Sequence, residues 1–224
     1  MLRPDPARTE HARAPRRSSI TWGVRAPLSA WLRAEAERAA ADLGRYRVLD
    51  VGCGYRPYEP FFAPHASEYV GVDMDNPAAD LQGVVEALPV PDNSFDVVLC
   101  TQVLEHANDP ALAVRELARV VAPGGRVLAS THGTAVYHPA PNDFWRWTHT
   151  GLEQLFTRNA EWRSVLTEAF QQPHRELGID MPLDALVTLV MTFNIGVIVE
   201  RLGGIETGQH ELLEWIDAFL EKSQ

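Results

Sequence analysis

The sequence has almost no lysine and carries little positive charge overall. Lys222 is the only lysine among 224 residues, and the formal net charge is −10. Proteins that bind nucleic acid or anionic membrane surfaces need clustered Lys and Arg to neutralise phosphates. We therefore expect no nucleic-acid partner, and a small neutral or cationic ligand suits this acidic chain better.

The sequence has two cysteines, and the pattern of a secretion signal is missing from residues 1–19. Cys53 and Cys100 are the only cysteines, and both end predicted buried strands, which favours reduced interior thiols over a disulfide framework. The arginine-rich residues 1–19 lack the apolar centre of a secretion signal. We predict that they form a mobile N-terminal tail and that the protein is cytoplasmic.

The sequence has no apolar run of membrane-spanning length. The longest run, Ala185 to Val199, covers 15 residues. As a helix it would reach roughly 22 Å, short of the ~30 Å hydrocarbon core. We therefore expect no membrane span, and we expect this helix to pack on the domain or on a second copy of the chain, as a homodimer.

The hydrophobic pattern alternates between the periods of strands and helices. This alternation predicts an α/β fold with a doubly wound, mostly parallel, Rossmann-like sheet. An N-terminal helix is predicted over Pro27 to Leu43, with Pro in its first turn and Gly44 after its end. The next elements are strands at 47–51, 69–73, 80–85, 95–101 and 126–131, with a helix at 109–121 after the fourth strand.

The pattern of the remaining residues predicts one domain with a C-terminal helical appendage. With 224 residues and 46% hydrophobic content, the chain can bury one core. We predict a single domain over residues 20–224, with its core at about 45–170 and C-terminal helices at about 182–221. The elements expected after residue 147 are a helix at 148–158, a strand at 162–168 and helices at 182–202 and 209–220.

A glycine-rich loop follows the first predicted strand. Open α/β sheets bind ligands beyond the carboxyl ends of their strands, where the strand order reverses. Gly52 and Gly54 permit a tight turn and a close approach of the backbone to such a ligand. Asp50 would repel a pyrophosphate but would stabilise the ammonium and sulfonium of S-adenosylmethionine (SAM). The loop, which includes Cys53, therefore favours SAM over NAD.

Two further positions bear on the choice of cofactor. Asp73 ends the second strand 19 residues after Gly54, the distance at which an acid accepts hydrogen bonds from ribose hydroxyls. A role as a turn residue is the alternative for Asp73. The third glycine of the dinucleotide fingerprint would fall at position 57, which is Pro57 here. An NAD-dependent oxidoreductase is therefore the less favoured enzyme.

Four motifs between residues 47 and 130 resemble a known family, the small-molecule class I SAM-dependent methyltransferases of the type 11 group. The motifs are VLDVGCG, VGVD, EALPVPDNSFDVVLCTQVLEH and LARVVAPGGRVLAS, in this order. The resemblance implies a seven-stranded sheet, with Gly52 and Gly54 beneath the methionine part of SAM and Asp73 on its ribose. It also implies that Met74 packs on the adenine and that the loop beginning at Thr101 borders the cofactor.

The sequence departs from this family at two positions. Arg56 stands where the family usually has a glycine, and Val84 stands where it has an acid that contacts the adenine amino group. The backbone N–H of Val85 can still serve the adenine ring, and Glu86 can substitute for the missing acid. These departures leave open a SAM-binding regulatory or degenerate protein without catalysis. Glu105 and His106 resemble the family's Leu-Glu-His signature, for which capping and packing are the favoured roles.

The segment from Thr131 to Gly151 follows the fifth strand and is rich in bases and aromatic rings. Since it follows a strand of the predicted sheet, we expect it to lie at the same edge of the sheet as the glycine loop and to bind the acceptor. His132 is the first choice for a general base. The other residues expected here are His138 and Asp143 as catalytic groups and Tyr137, Trp145, Arg146 and Trp147 as substrate contacts.

The same segment admits other interpretations. Its Trp and Tyr side chains could pack the loop down while Asp143 caps the following helix. Three histidines and an acid could bind a metal, but the spacing lacks the tight ligand pairs of metal sites, so we predict none. The His-Gly and Trp-Arg-Trp-Thr pattern resembles methyltransferases encoded with polysaccharide or glycosylated natural-product genes, which favours a sugar or glycoside hydroxyl as acceptor.

Overall fold

One five-stranded sheet forms the centre of the computed structural model, which describes residues 6–16, 22–133 and 141–166. The strands are β1 (Tyr46–Val51), β2 (Ala66–Asp73), β3 (Leu81–Gln82), β4 (Phe95–Thr101) and β5 (Val121–Ser130). Their order is β3-β2-β1-β4-β5, and every neighbouring pair is parallel. The order reverses between β1 and β4, which places the expected ligand crevice at the ends of these two strands.

Helices cover both faces of the sheet. They are α1 (Pro6–Arg13), α2 (Trp22–Leu43), α3 (Glu59–Phe62), α4 (Pro110–Val120) and α5 (His149–Asn159), with a 3-10 turn at Leu104–His106. On one face, Leu28 and Leu32 of α2 join a buried cluster with strand residues such as Val97. On the other face, Leu117 of α4 and Phe156 of α5 join a second cluster. The doubly wound prediction is therefore confirmed.

Most of the predicted elements are present, with shifted ends. The helix α2 begins at Trp22, five residues before its predicted start, and carries Pro27 inside it. The strand β5 begins at Val121, which already pairs with Phe95 before the register shifts. The strand β3 has only two residues. The strand predicted at 162–168 is wrong over 162–166, which are irregular.

The N-terminal segment also differs from its prediction. Residues 6–13 form α1 where a mobile tail was expected, and the segment has partners in the domain. Ser29 Oγ donates to the Arg13 carbonyl at 2.5 Å, and Arg13 Nη1 donates to the Pro57 carbonyl at 3.3 Å. These bonds connect the segment to α2 and to the loop after β1.

The chain divides into two compact units, residues 1–169 and 170–224. The second unit, including the predicted C-terminal helices, lies outside the described residues, so the single domain over 20–224 stays a prediction. Within the described ranges, no helix combines the length and the apolar character needed to cross a bilayer.

Candidate active site

The loop after β1 turns on two glycines that have different surroundings. Gly52 has φ +64° and Gly54 has φ +48°, both in the left-handed region that other residues enter at a cost. A Cβ at Gly52 would lie 2.3 Å from Val103 Cγ2, so the loop packs tightly on the turn after β4. A Cβ at Gly54 would meet no atom within 4 Å. The loop is therefore closed on the β4 side and open above Gly54.

Asp73 ties the end of β2 to the glycine loop. Its Oδ2 accepts from the Gly54 N–H at 2.9 Å, and its Oδ1 accepts from the N–H groups of Asp75 at 3.0 Å and Asn76 at 2.9 Å. The turn role considered for Asp73 is thus present. A carboxylate has about four lone-pair sites, so three backbone bonds leave room for a ligand hydroxyl.

Asp50 lies buried beneath the loop. Burial raises the pKa of Asp50 to about 7. A hydrogen bond from Tyr69 and the positive charge of Arg56 both lower this pKa, but burial outweighs them. The Tyr69 hydroxyl donates to Asp50 Oδ2 at 2.6 Å. The negative charge that was expected to attract a cationic ligand therefore depends on pH near neutrality.

Arg56 stands at a backbone conformation that explains the family's glycine there. Its φ is +53°, which glycine adopts more readily than arginine. Arg56 Nη2 pairs with Asp80 Oδ2 at 2.7 Å, and Asp80 Oδ2 also accepts from the Gly71 N–H at 2.8 Å. The side chain thus bridges the glycine loop and the segment after β2.

The other residues expected at the cofactor lie after β2, after β3 and at the end of β4. Met74 is 51% exposed and follows β2 directly, so its side chain is available to a ligand. Val85 is buried and Thr101 ends β4. The Glu86 Oε1 atom accepts from the Asn108 N–H at 2.7 Å, so Glu86 holds the segment before α4. Its role as a substitute acid at the adenine stays a prediction.

A cavity of about 320 Å³ adjoins the glycine loop on its Arg56 side. Of the residues predicted for the cofactor, its lining includes Gly54. The full lining is Gly54, Tyr55, Arg56, Glu59, Asn76, Ala78 and Asp80. Cys53 is buried below, and burial raises the pKa of its thiol to about 12, which rules it out as a thiolate nucleophile at neutral pH.

The turns after β4 and β5 bring Glu105 and His132 together. Thr101 and Ser130 pair at the ends of these strands, so the residues that follow leave the sheet side by side. The Glu105 carboxylate is fully buried and contacts His132 Nδ1 at 2.6 Å. It also accepts from Thr131 Oγ1 at 2.9 Å.

The loop at 141–148 is anchored to these same turns. The Glu105 carbonyl accepts from the N–H groups of Phe144 and Trp145 at 2.9 and 3.3 Å. The Trp147 N–H donates to the His132 carbonyl at 3.1 Å. Trp145 and Trp147 stack with ring centroids 5.7 Å apart. The main chain that carries Trp145 and Trp147 is therefore tied to Glu105 and His132. The Trp147 indole N–H is buried without a partner among the described residues.

Asp143 has a different partner from the one expected. Its carboxylate binds the Arg146 guanidinium through two hydrogen bonds, one of them Nη2 to Oδ2 at 2.6 Å. The carboxylate beside His132 is thus Glu105, which the sequence analysis assigned to packing. Thr148, and not Asp143, caps α5, since its Oγ1 accepts from the Gly151 N–H at 3.0 Å.

Some predictions for this loop cannot be compared with the structure. Tyr137 and His138 lie outside the described residues. In the part of the chain that is described, no three His, Cys, Asp or Glu side chains form a metal-binding group. Glu105 stands four residues after β4 and His132 two residues after β5, so the sequence indicates this pair only if the two strands are taken as parallel neighbours.

Comparisons with known proteins agree with this geometry. Residues 49–129 match the family model of a methyltransferase domain. Uncharacterized methyltransferase YcgJ of Bacillus subtilis is 35% identical over 122 residues, which are 47% of this chain and 46% of that protein. Ubiquinone biosynthesis O-methyltransferase of Ralstonia nicotianae is 37% identical over 116 residues, 45% of this chain and 49% of that protein.

A solved structure of YcgJ is also similar. Its TM-score is 0.48 at 26% identity, over 58% of this chain and 68% of that chain. The chain spans about half the length of the curated relatives it matches. In its strand order, in its glycine loop and in the match over residues 49–129, this part of the chain resembles the class I methyltransferases of the type 11 group.

Proposed function

We propose that this chain transfers a methyl group from SAM to a hydroxyl of a small molecule, with sugars and glycosides as the first acceptors to test. The observation that carries the proposal is the open glycine loop next to a half-buried histidine at one edge of the sheet. Gly52 touches Val103 of the β4 turn, and Glu105 of that turn touches His132. The cofactor loop and the candidate base are thus joined by direct packing.

The residues present fit SAM. The space above Gly54 is open, so a ligand can approach the backbone there. Asp73 lies 19 residues after Gly54, the sequence separation expected for an acid that binds a ribose. Met74 offers an exposed apolar surface for a purine. The match to the methyltransferase family model covers residues 49–129, which include Gly54, Asp73 and Met74.

The chain's own part in the reaction is positioning and proton removal. SAM, when bound, supplies the methyl carbon, and its sulfur keeps the electron pair of the S–C bond that breaks. His132 takes the hydroxyl proton as the acceptor oxygen forms its bond to that carbon. Trp145 and Trp147 hold the acceptor against His132, which aligns the oxygen for transfer.

Variants of the acceptor loop separate cofactor binding from chemistry. His132→Ala should leave SAM affinity within about twofold and lower turnover about 100-fold or more, because only proton removal is lost. Trp147→Ala should raise the acceptor KM with less effect on turnover, as expected for lost uniform binding. Steady-state methyl transfer to a panel of sugars and glycosides, beside SAM calorimetry, measures both.

His65→Ala is the matched control, since His65 also faces a glutamate but precedes β2 at the opposite edge of the sheet. It should retain full turnover. Methyl transfer by His132→Ala at the normal rate would contradict the choice of base. SAM binding without transfer to any acceptor would favour a regulatory SAM-binding protein, and binding of NADH in place of SAM would contradict the proposal altogether.

A further inference from the structure

Glu105 is a buried acid that the protein keeps charged. Burying a carboxylate is costly unless hydrogen bonds and an opposite charge compensate for the lost water. Burial raises the pKa of Glu105, but hydrogen bonds from His132, the backbone and Thr131 outweigh it, and the pKa lies below its ordinary value. Glu105 is therefore ionised at neutral pH.

An ionised carboxylate can only accept hydrogen bonds, and this determines the proton position on its partner. His132 Nδ1 lies 2.6 Å from Glu105 Oε1. The proton of a neutral His132 ring must then be on Nδ1, which puts the lone pair on Nε2. Thr131 Oγ1, at 2.9 Å from the other oxygen, holds the carboxylate in this orientation.

The contacts of Glu105 also fix where the ring can point. Its carbonyl binds two N–H groups of the loop that carries Trp145, and the His132 carbonyl binds the Trp147 N–H. The His132 ring and the loop that carries Trp145 are therefore held by the same residue, Glu105. A shift of Glu105 would move the base and the acceptor surface together.

We propose that Glu105 is a positioning residue for methyl transfer: it fixes His132 with Nε2 as the proton acceptor and stabilises the imidazolium that forms. This inference rests on the proposed function. The acceptor hydroxyl proton moves to Nε2, the positive charge of the ring is balanced by the Glu105 carboxylate, and the new O–C bond uses the oxygen's electron pair. Glu105 itself keeps no proton and touches no substrate.

Glu105→Gln tests the charge with little change of shape. The glutamine oxygen can still accept from Nδ1, and its amide can donate to Thr131 Oγ1. We expect turnover to fall about tenfold or more while the acceptor KM and the SAM affinity stay within about twofold. The acidic limb of the pH–rate profile should move to lower pH, because the imidazolium loses its carboxylate. The matched control is Glu37→Gln, since Glu37 lies beside His65. This variant should change neither the turnover nor the pH–rate profile.

A second measurement needs no cofactor, no acceptor and no variant of Glu105. Two-bond ¹H–¹⁵N correlation spectra of the protein should show the neutral His132 ring with its proton on Nδ1, the signal being assigned by its loss in His132→Gln. A proton on Nε2 would overturn the inference, as would an unchanged turnover and pH profile in Glu105→Gln. If the tautomer is as expected but the protein binds no SAM, the proposed function fails and the positioning of His132 by Glu105 stands.

Discussion

At the scale of single residues, Asp50 combines complete burial with a position under the cofactor loop. Its pKa is raised to about 7 from 3.8, chiefly by burial. Between these values the folded protein holds a proton that the unfolded chain has released. Stability therefore falls as the pH rises through this range, since the unfolded state binds fewer protons.

Replacing Asp50 by Asn should remove this dependence. The wild-type protein should lose stability relative to Asp50→Asn as the pH rises from 3.8 to about 7, because only the wild type must ionise a buried acid. Urea unfolding of both proteins across this range measures the difference in the free energy of unfolding. Parallel pH curves for the two proteins would contradict a raised pKa for Asp50.

The residues also show what a sequence can predict about a site. The tight turn at Gly52 and Gly54 and the place of Asp73 at the end of β2 were predictable, because they follow from the backbone at strand ends, which the chain order determines. The partner of His132 was missed, because Asp143 is closer in sequence while Glu105 reaches it from a neighbouring strand. Contacts between separate strand ends depend on the order of strands, which one sequence does not reveal directly.

At the scale of elements, the glycine loop and the β4 turn form one packed unit. Gly52 fits against Val103, whereas Gly54 faces open space, although both have positive φ. The two glycines therefore serve different purposes. Gly52 allows the two turns to approach each other, and Gly54 leaves open the space that we propose for SAM.

Alanine at each glycine separates these purposes. Both substitutions should cost about 1–2 kcal/mol for the left-handed backbone. Gly52→Ala should cost about 1–3 kcal/mol more, because its methyl overlaps Val103. Gly54→Ala should instead weaken SAM binding about tenfold or more, since its methyl would occupy the open space that we propose for SAM. Thermal unfolding and SAM calorimetry measure the two effects, and equal losses of stability with normal SAM binding by Gly54→Ala would contradict the assignment.

The elements themselves were predictable where packing and local pattern agree. The strand β4 has its predicted bounds, and α4 begins one residue after Asp109, whose side chain caps it through the Leu112 N–H. The strand β3 is shorter than predicted because it pairs only through two residues at the sheet edge. The segment 162–166 has strand-like composition, but Trp162 packs on Phe156 of α5 instead of joining the sheet.

At the scale of the whole molecule, the described residues include the segment 49–129 that matches a methyltransferase domain, and the helices expected in the C-terminal unit stay a prediction. The apolar stretch from Ala185 to Val199 is the feature of that unit with the clearest physical consequence. Apolar surface of this extent is rarely left in water. It needs a covering surface, either on this chain or on a second copy.

The oligomeric state distinguishes these two arrangements. We expect sedimentation equilibrium to show a homodimer if the stretch packs between copies, and Val190→Asp should then dissociate it. Leu112→Asp is the matched control, because Leu112 is an exposed residue on α4. A strict monomer at high concentration, with the 185–199 surface accessible to solvent in hydrogen exchange, would contradict both arrangements.

The account depends most on SAM binding at the ends of β1 and β2, and calorimetric titration with SAM tests this directly. The protein should bind SAM, and Asp73→Ala should lose most of the affinity, since each charge-assisted hydrogen bond to a ribose hydroxyl contributes roughly 1.5–3 kcal/mol. Asp75→Ala, the same change at an exposed carboxylate two residues further on, should bind normally. Equal affinity of Asp73→Ala and the wild-type protein for SAM would contradict the proposed cofactor site.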